Sequence, residues 1–162
     1  MSSTELSEKD LAYLREAIKV SQQARDEGQH PFGCIIVDEN DNVIMSAGNR
    51  VPDGDVTQHA ETRAVGLITK TRRDLEKCTL YTSTEPCAMC SGAIFWSGIR
   101  RMIFGLSNEN LIKLTQKSGE CPPLYINSRD ILGAASHPIE VLGPYIEDEA
   151  IIPHKGFWDG GR

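Results

Sequence analysis

His59, Glu61, Cys87 and Cys90 are the residues of this 162-residue sequence whose types and spacing best suit chemistry. One imidazole and two thiolates select zinc over magnesium or calcium. A closed structural zinc site takes four protein ligands, whereas a catalytic one takes three and keeps a position for water. His59, Cys87 and Cys90 make three, and Glu61 is a carboxylate beside the open position. The pattern therefore predicts one zinc per chain at a hydrolytic centre rather than a staple. Glu61 is expected to take a proton from the activated water and deliver it to the substrate and the leaving group.

Cys87 and Cys90 stand three residues apart, so a helix presents them on one side. Pro86 suits the opening of that helix, expected to run to about residue 96. Its first turn stabilises anions and so lowers thiol pKa values. His59 begins another helix, expected over 59–73. Apolar residues Leu6, Leu11, Leu14, Ala17 and Ile18 at helical spacing predict a helix over 4–26, ended by Gly28. Short β-type runs fall at 33–37, 43–47, 80–82, 101–104 and 139–142, the first two as a hairpin. Further helices are expected at 108–117, 129–132 and 145–152, and an irregular tail at 157–162. Strands alternating with helices after a hairpin imply a three-layer α/β/α sandwich around a mixed five-stranded sheet. Sites in open α/β sheets lie where strands end and helices begin, and both motifs occupy such junctions.

The length suits one domain over 1–162, with 153–162 as a C-terminal tail. Apolar runs such as Cys34-Ile35-Ile36-Val37 are far too short to span a bilayer, and residues 1–5 lack the pattern of a secretory signal, so cytoplasmic residence without membrane partners is expected. The net charge of −6 weighs against a polyanionic substrate. The basic clusters Lys70-Thr71-Arg72-Arg73 and Arg100-Arg101 read as solvated ends of elements. Five cysteines is an odd number, which argues against a disulfide framework. Cys34, Cys78 and Cys121 read as packed thiols without an assigned role.

The joint pattern His59-x-Glu61 and Pro86-Cys87-x-x-Cys90 is that of the zinc deaminases, and the sequence from about residue 11 to residue 142 resembles the cytidine/deoxycytidylate deaminase superfamily. The resemblance implies that water adds to an amidine-like ring carbon and ammonia leaves. His59, Cys87 and Cys90 would hold zinc, and Glu61 would shuttle protons. Pro31-Phe32-Gly33, Thr82-Ser83-Thr84-Glu85-Pro86-Cys87 and Gly92-Ala93-Ile94-Phe95-Trp96 resemble guanine-deaminase-like members. Gly48-Asn49-Arg50 is shared with tRNA adenosine deaminases, and Asn49 with Gly92-Ala93-Ile94 with small cytosine deaminases.

The same resemblance assigns the Asn49 amide to the substrate base, although Gly48-Asn49 is also good turn chemistry. Phe32 is either a core aromatic or a stacking surface. Trp158 and Asp159 fit a pocket-closing tail, with docking of the chain end as the plain alternative. Glu120 lies where guanine deaminases place a second substrate-facing carboxylate. His30 reads as a solvated loop residue, and His137 and His154 as structural or surface positions. The acidic run Glu147-Asp148-Glu149 replaces the basic C-terminal helix of tRNA deaminases and reads as a solvated face, so nucleic acid is not the expected partner. By resemblance a homodimer is expected, with Phe95 and Trp96 on the zinc helix suited to its interface. A small nucleobase or nucleoside is thus the expected substrate, a guanine-type aminopurine first. The alternatives are cytosine or another aminopyrimidine or triazine, then adenosine in tRNA, then a noncatalytic zinc-binding interaction module.

Overall fold

In the computed structural model, which describes residues 6–119 and 122–159, the chain enters through helix α1 (Glu8–Asp26). Ser7 caps it, accepting the amide of Asp10 at 3.0 Å. This cap places the helix start at Glu8 rather than at residue 4. Leu14, Ala17, Ser21 and Ala24 form its buried stripe. Strand β1 (Gly33–Val37) is buried throughout and pairs antiparallel with both β2 (Val43–Gly48) and β3 (Thr79–Thr84). Strands β4 (Arg101–Leu106) and β5 (Glu140–Leu142) continue parallel to β3, giving the order β2-β1-β3-β4-β5. The sheet is the mixed five-stranded one expected.

Alternation along the central strands separates two cores. Cys34, Ile36, Leu80, Met102 and Phe104 pack with α2 (Ala60–Ile68), α3 (Ala88–Ser97) and α5 (Ser128–Leu132). Ile35, Val37, Tyr81 and Ile103 face the side covered by α1, where Tyr145 and Ile146 lead into α6 (Glu147–Ala150). Gly33 is required at the start of β1, because a Cβ there would lie 2.4 Å from the backbone nitrogen of Ser21. Helix α4 (Asn108–Thr115) follows β4.

Further expectations change. The helix after His59 stops at Ile68, where the Thr69 and Thr71 hydroxyls donate to the carbonyls of Val65 and Ile68 and end it. The helix expected over 145–152 resolves into α6 and a separate 3-10 turn (Ile152–His154), since Pro153 cannot continue the backbone ladder. Arg101 is no solvated end: its guanidinium makes two bonds to Asp10, both 2.9 Å, while the Tyr81 hydroxyl donates to the same carboxylate at 2.6 Å. This cluster ties α1 to β3 and β4. Among the described residues no helix is long and apolar enough to cross a membrane.

Candidate active site

Because β1 runs against β2 and β3, the ends of β2, β3, β4 and β5 share one edge of the sheet. Helices α2 and α3 pack side by side and both begin at that edge. Their N-cap residues are His59 and Cys87, in extended conformation and without a side-chain cap bond. Serine, threonine, aspartate or asparagine at such a cap is worth about 1 kcal/mol. These two helix starts forgo that bond and present an imidazole and a thiol instead. Pro86 consequently lies just outside α3 rather than in its first turn.

The donor atoms of His59, Cys87 and Cys90 all lie within 4.8 Å of one another. Tetrahedral zinc with ordinary Zn–S and Zn–N bonds sets sulfur and nitrogen about 3.6 Å apart. Cys87 Sγ and His59 Nδ1 are 3.5 Å apart, so the three donors fit the ion. Hydrogen bonds from Cys90 and His59 hold the Cys87 thiol well below its ordinary pKa, while Cys90, holding the proton, is pushed up. A dication takes the place of that shared proton when it binds. The Thr62 hydroxyl lies 3.2 Å from Cys90 Sγ and buttresses the ligand. Cys87→Ala is therefore expected to bring bound zinc far below one per chain by metal analysis, and full occupancy in that variant would remove Cys87 from the ligand set.

Glu61, in the first turn of α2, is 5% exposed. Burial raises its pKa. The Thr82 hydroxyl from β3 donates to Glu61 Oε1 and also lies 3.2 Å from the Thr84 carbonyl. Thr82 was not foreseen as a site residue; its signal was the alternation of β3, which puts Thr82 on the same face as Leu80, toward α2.

Glu85, also unforeseen, ties the turn before Cys87 to two further helices. Its Oε1 accepts the Asn108 amide at 3.0 Å, and its Oε2 accepts the Ser128 amide and hydroxyl at 3.0 and 2.7 Å. Glu147, read from the sequence as a solvated acid, instead accepts the Ser107 amide and the Asn110 side chain at the start of α4. Glu149 pairs with Arg15.

Asn49 follows β2 and is 3% exposed. Its backbone N–H donates to the Phe32 carbonyl at 3.0 Å, and its side-chain Oδ1 accepts the Val51 backbone amide at 2.9 Å. The turn at Asn49 is thus made by its side chain, not by a left-handed backbone. Phe32 is half-buried, packed against the core beneath α2 and α3 and 5.3 Å from the His154 ring. Phe157 and Trp158 are buried, and Trp158 meets both Phe32 and His154. His30, expected to be solvated, is half-buried edge-on to Phe157 and Trp158. Asp159 is exposed. Glu120 lies outside the described residues. Cys34 and Cys78 are buried free thiols, as expected.

The cytidine and deoxycytidylate deaminase zinc-binding region matches residues 7–106. A Schizosaccharomyces pombe protein named a probable cytosine deaminase is 99% identical over the full length of both chains. A tRNA-specific adenosine deaminase of Rickettsia bellii is 31% identical over 90% of this chain and 97% of its own. Among solved structures, a guanine deaminase from Nitrosomonas europaea superposes with a TM-score of 0.75 at 21% identity, covering 92% of this chain and 83% of that one.

Proposed function

The chain belongs to the cytidine and deoxycytidylate deaminase family, whose activity is zinc-dependent hydrolytic deamination, and from that premise we propose that its substrate is a free aminopyrimidine base, cytosine in the first place. Near-identity to a relative named for that activity carries this reading. It reverses the order suggested by the motifs around Phe32 and Thr82, which put guanine first.

His59, Cys87 and Cys90 would hold the zinc, which would supply a water of lowered pKa. Glu61 takes a proton from the attacking water, gives it to the ring nitrogen beside the reacting carbon, and then passes a proton to the departing amine. Cytosine and water thereby become uracil and ammonia. Thr82 fixes the Glu61 carboxylate. Asn49 Oδ1 is engaged by Val51, so its Nδ2 is the natural donor to the ring carbonyl. Phe32 and Trp158 stack on the flat base, and Asp159 accepts from the exocyclic amine once the base is bound. A tail buried at Phe157 and Trp158 suits a small enclosed ligand better than a polynucleotide.

The exposed Trp96, 84% accessible, adjoins a cleft of about 440 Å³ lined by Val65, Thr69, Arg73, Ala93 and Ser97. This surface on α2 and α3 suits the interface of a homodimer. The enzyme works in the cytoplasm in this reading.

An ammonia-release assay over cytosine, guanine, cytidine, guanosine and unmodified tRNA tests the substrate. Cytosine is expected to give the highest kcat/KM; a preference for guanine restores the purine reading, and turnover of tRNA alone overturns both. Removal of residues 157–162 is expected to raise KM for cytosine by roughly 10-fold, the value of one base–aromatic stack. Normal kinetics after truncation would reduce the tail to packing.

A further inference from the structure

The last described residues converge on His154, which is 1% exposed. The Trp158 indole nitrogen lies 3.1 Å from His154 Nδ1, and the two rings are nearly parallel. An indole N–H only donates, so Nδ1 must accept. The proton of the neutral ring is then on Nε2, which lies 3.4 Å from the Thr84 hydroxyl and donates to it. Thr84 ends β3, three residues before Cys87. Both nitrogens of one buried ring thus join the tail to the strand that leads to the zinc turn.

We propose that His154 is the positioning residue that seats Trp158 in its closed place, through the neutral tautomer protonated on Nε2. This rests on the reading of the tail as a pocket cover. A proton added at Nδ1 converts the acceptor into a second donor that opposes the indole N–H. The same proton therefore releases Trp158.

The surroundings favour the neutral ring. Arg25 of α1 donates to the carbonyls of Pro153 and Lys155 at 2.8 and 2.6 Å and lies over the Phe157 ring. His30, between α1 and β1, stands against Trp158, and Lys155 is exposed on the same segment as His154. Burial first and the Arg25 charge second lower the His154 pKa to about 4. For a histidine with a lowered pKa, the seated state is favoured above the released value of 6.5 and is lost as pH falls toward 4.

The sequence has two tryptophans, so a Trp96→Phe background makes Trp158 the sole indole reporter. Acrylamide quenching is read from about pH 8 to pH 4, together with KM and kcat for cytosine. In the background protein Trp158 is expected to be shielded at neutral pH and to become quenchable below about pH 5. His154→Leu removes both bonds and is expected to expose Trp158 at every pH, raising KM roughly 10-fold while kcat changes less than about threefold. His154→Asn keeps an acceptor near the Nδ1 position but cannot titrate, so it should shield Trp158 and abolish the pH step. Quenching that does not respond to pH in the background protein, or a pH step that persists in His154→Asn, overturns the proposal. Exposed Trp158 in His154→Leu with unchanged KM upholds the seat and overturns the tail's place in substrate binding. Should His154→Leu fail to fold, the pH series and His154→Asn still decide.

Discussion

Glu61→Gln is expected to keep about one zinc per chain and to lower kcat/KM by at least roughly 100-fold, the ordinary contribution of one positioned acid–base group. The two side chains are nearly isosteric, which matters for a residue that is 5% exposed. Glutamine retains an oxygen to accept the Thr82 hydroxyl, so the bond that orients position 61 survives. It cannot carry a proton between water, ring nitrogen and amine. Loss of rate with metal retained separates proton transfer from zinc binding, which Cys87→Ala removes directly. A Glu61→Gln enzyme with undiminished rate would end the assigned role, while one stripped of zinc would recast Glu61 as part of the metal site. Thr82→Val offers a graded comparison: the carboxylate stays but loses its donor, so the loss should be smaller than for Glu61→Gln.

The legible part of this site was the part set by local spacing. His59 and Glu61 are two residues apart, and Cys87 and Cys90 one helical turn apart. Zinc chemistry restricts such donors so strongly that type and spacing suffice. Short β-type runs around Ile35 and Tyr81, and helical spacing along α1, likewise marked the strands and the first helix. Residues acting over long sequence distances were not legible. Thr82 reaches Glu61 across 21 positions, Glu85 reaches Ser128 across 43, and His154 reaches Thr84 across 70. Nothing local distinguishes these from ordinary strand, loop or surface residues; the sheet order decides which of them meet. Element ends failed for the opposite reason. Thr69 and Thr71 are local stop signals that the helix expected over 59–73 ran past.

Arg101 shows the same limit with the largest expected effect on stability. Asp10→Ala is expected to destabilise the fold by about 3 kcal/mol, at the low end for breaking a buried pair because the Arg101 side chain is 32% exposed. The loss is more than a salt bridge. The Asp10 carboxylate accepts two guanidinium bonds and the Tyr81 hydroxyl, and removing it leaves that hydroxyl without its acceptor and Arg101 with its longer pair to Glu140 at 3.5 Å. In a chain of this size the change corresponds to a fall in Tm of roughly 6–12 °C. The pH dependence carries a sign. Arg101 holds the Asp10 pKa well below its ordinary value of 3.8, so the folded state favours the ionised form. That stability is fully present above about pH 5 and is lost as pH falls below the ordinary value. Thermal melts of the two proteins should therefore differ most near neutrality and converge in acid. A Tm within roughly 2 °C of the parent at pH 7 would show that the cluster contributes little net stability, as replacing charged networks sometimes does. Deaminase activity should survive at temperatures where Asp10→Ala is folded, because Asp10 touches neither the zinc ligands nor Glu61. Stability and the proposed chemistry are thus placed on different parts of β3: Tyr81 faces the ion pair beneath α1, and Thr82, one residue on, faces the proposed proton carrier Glu61 beneath α2.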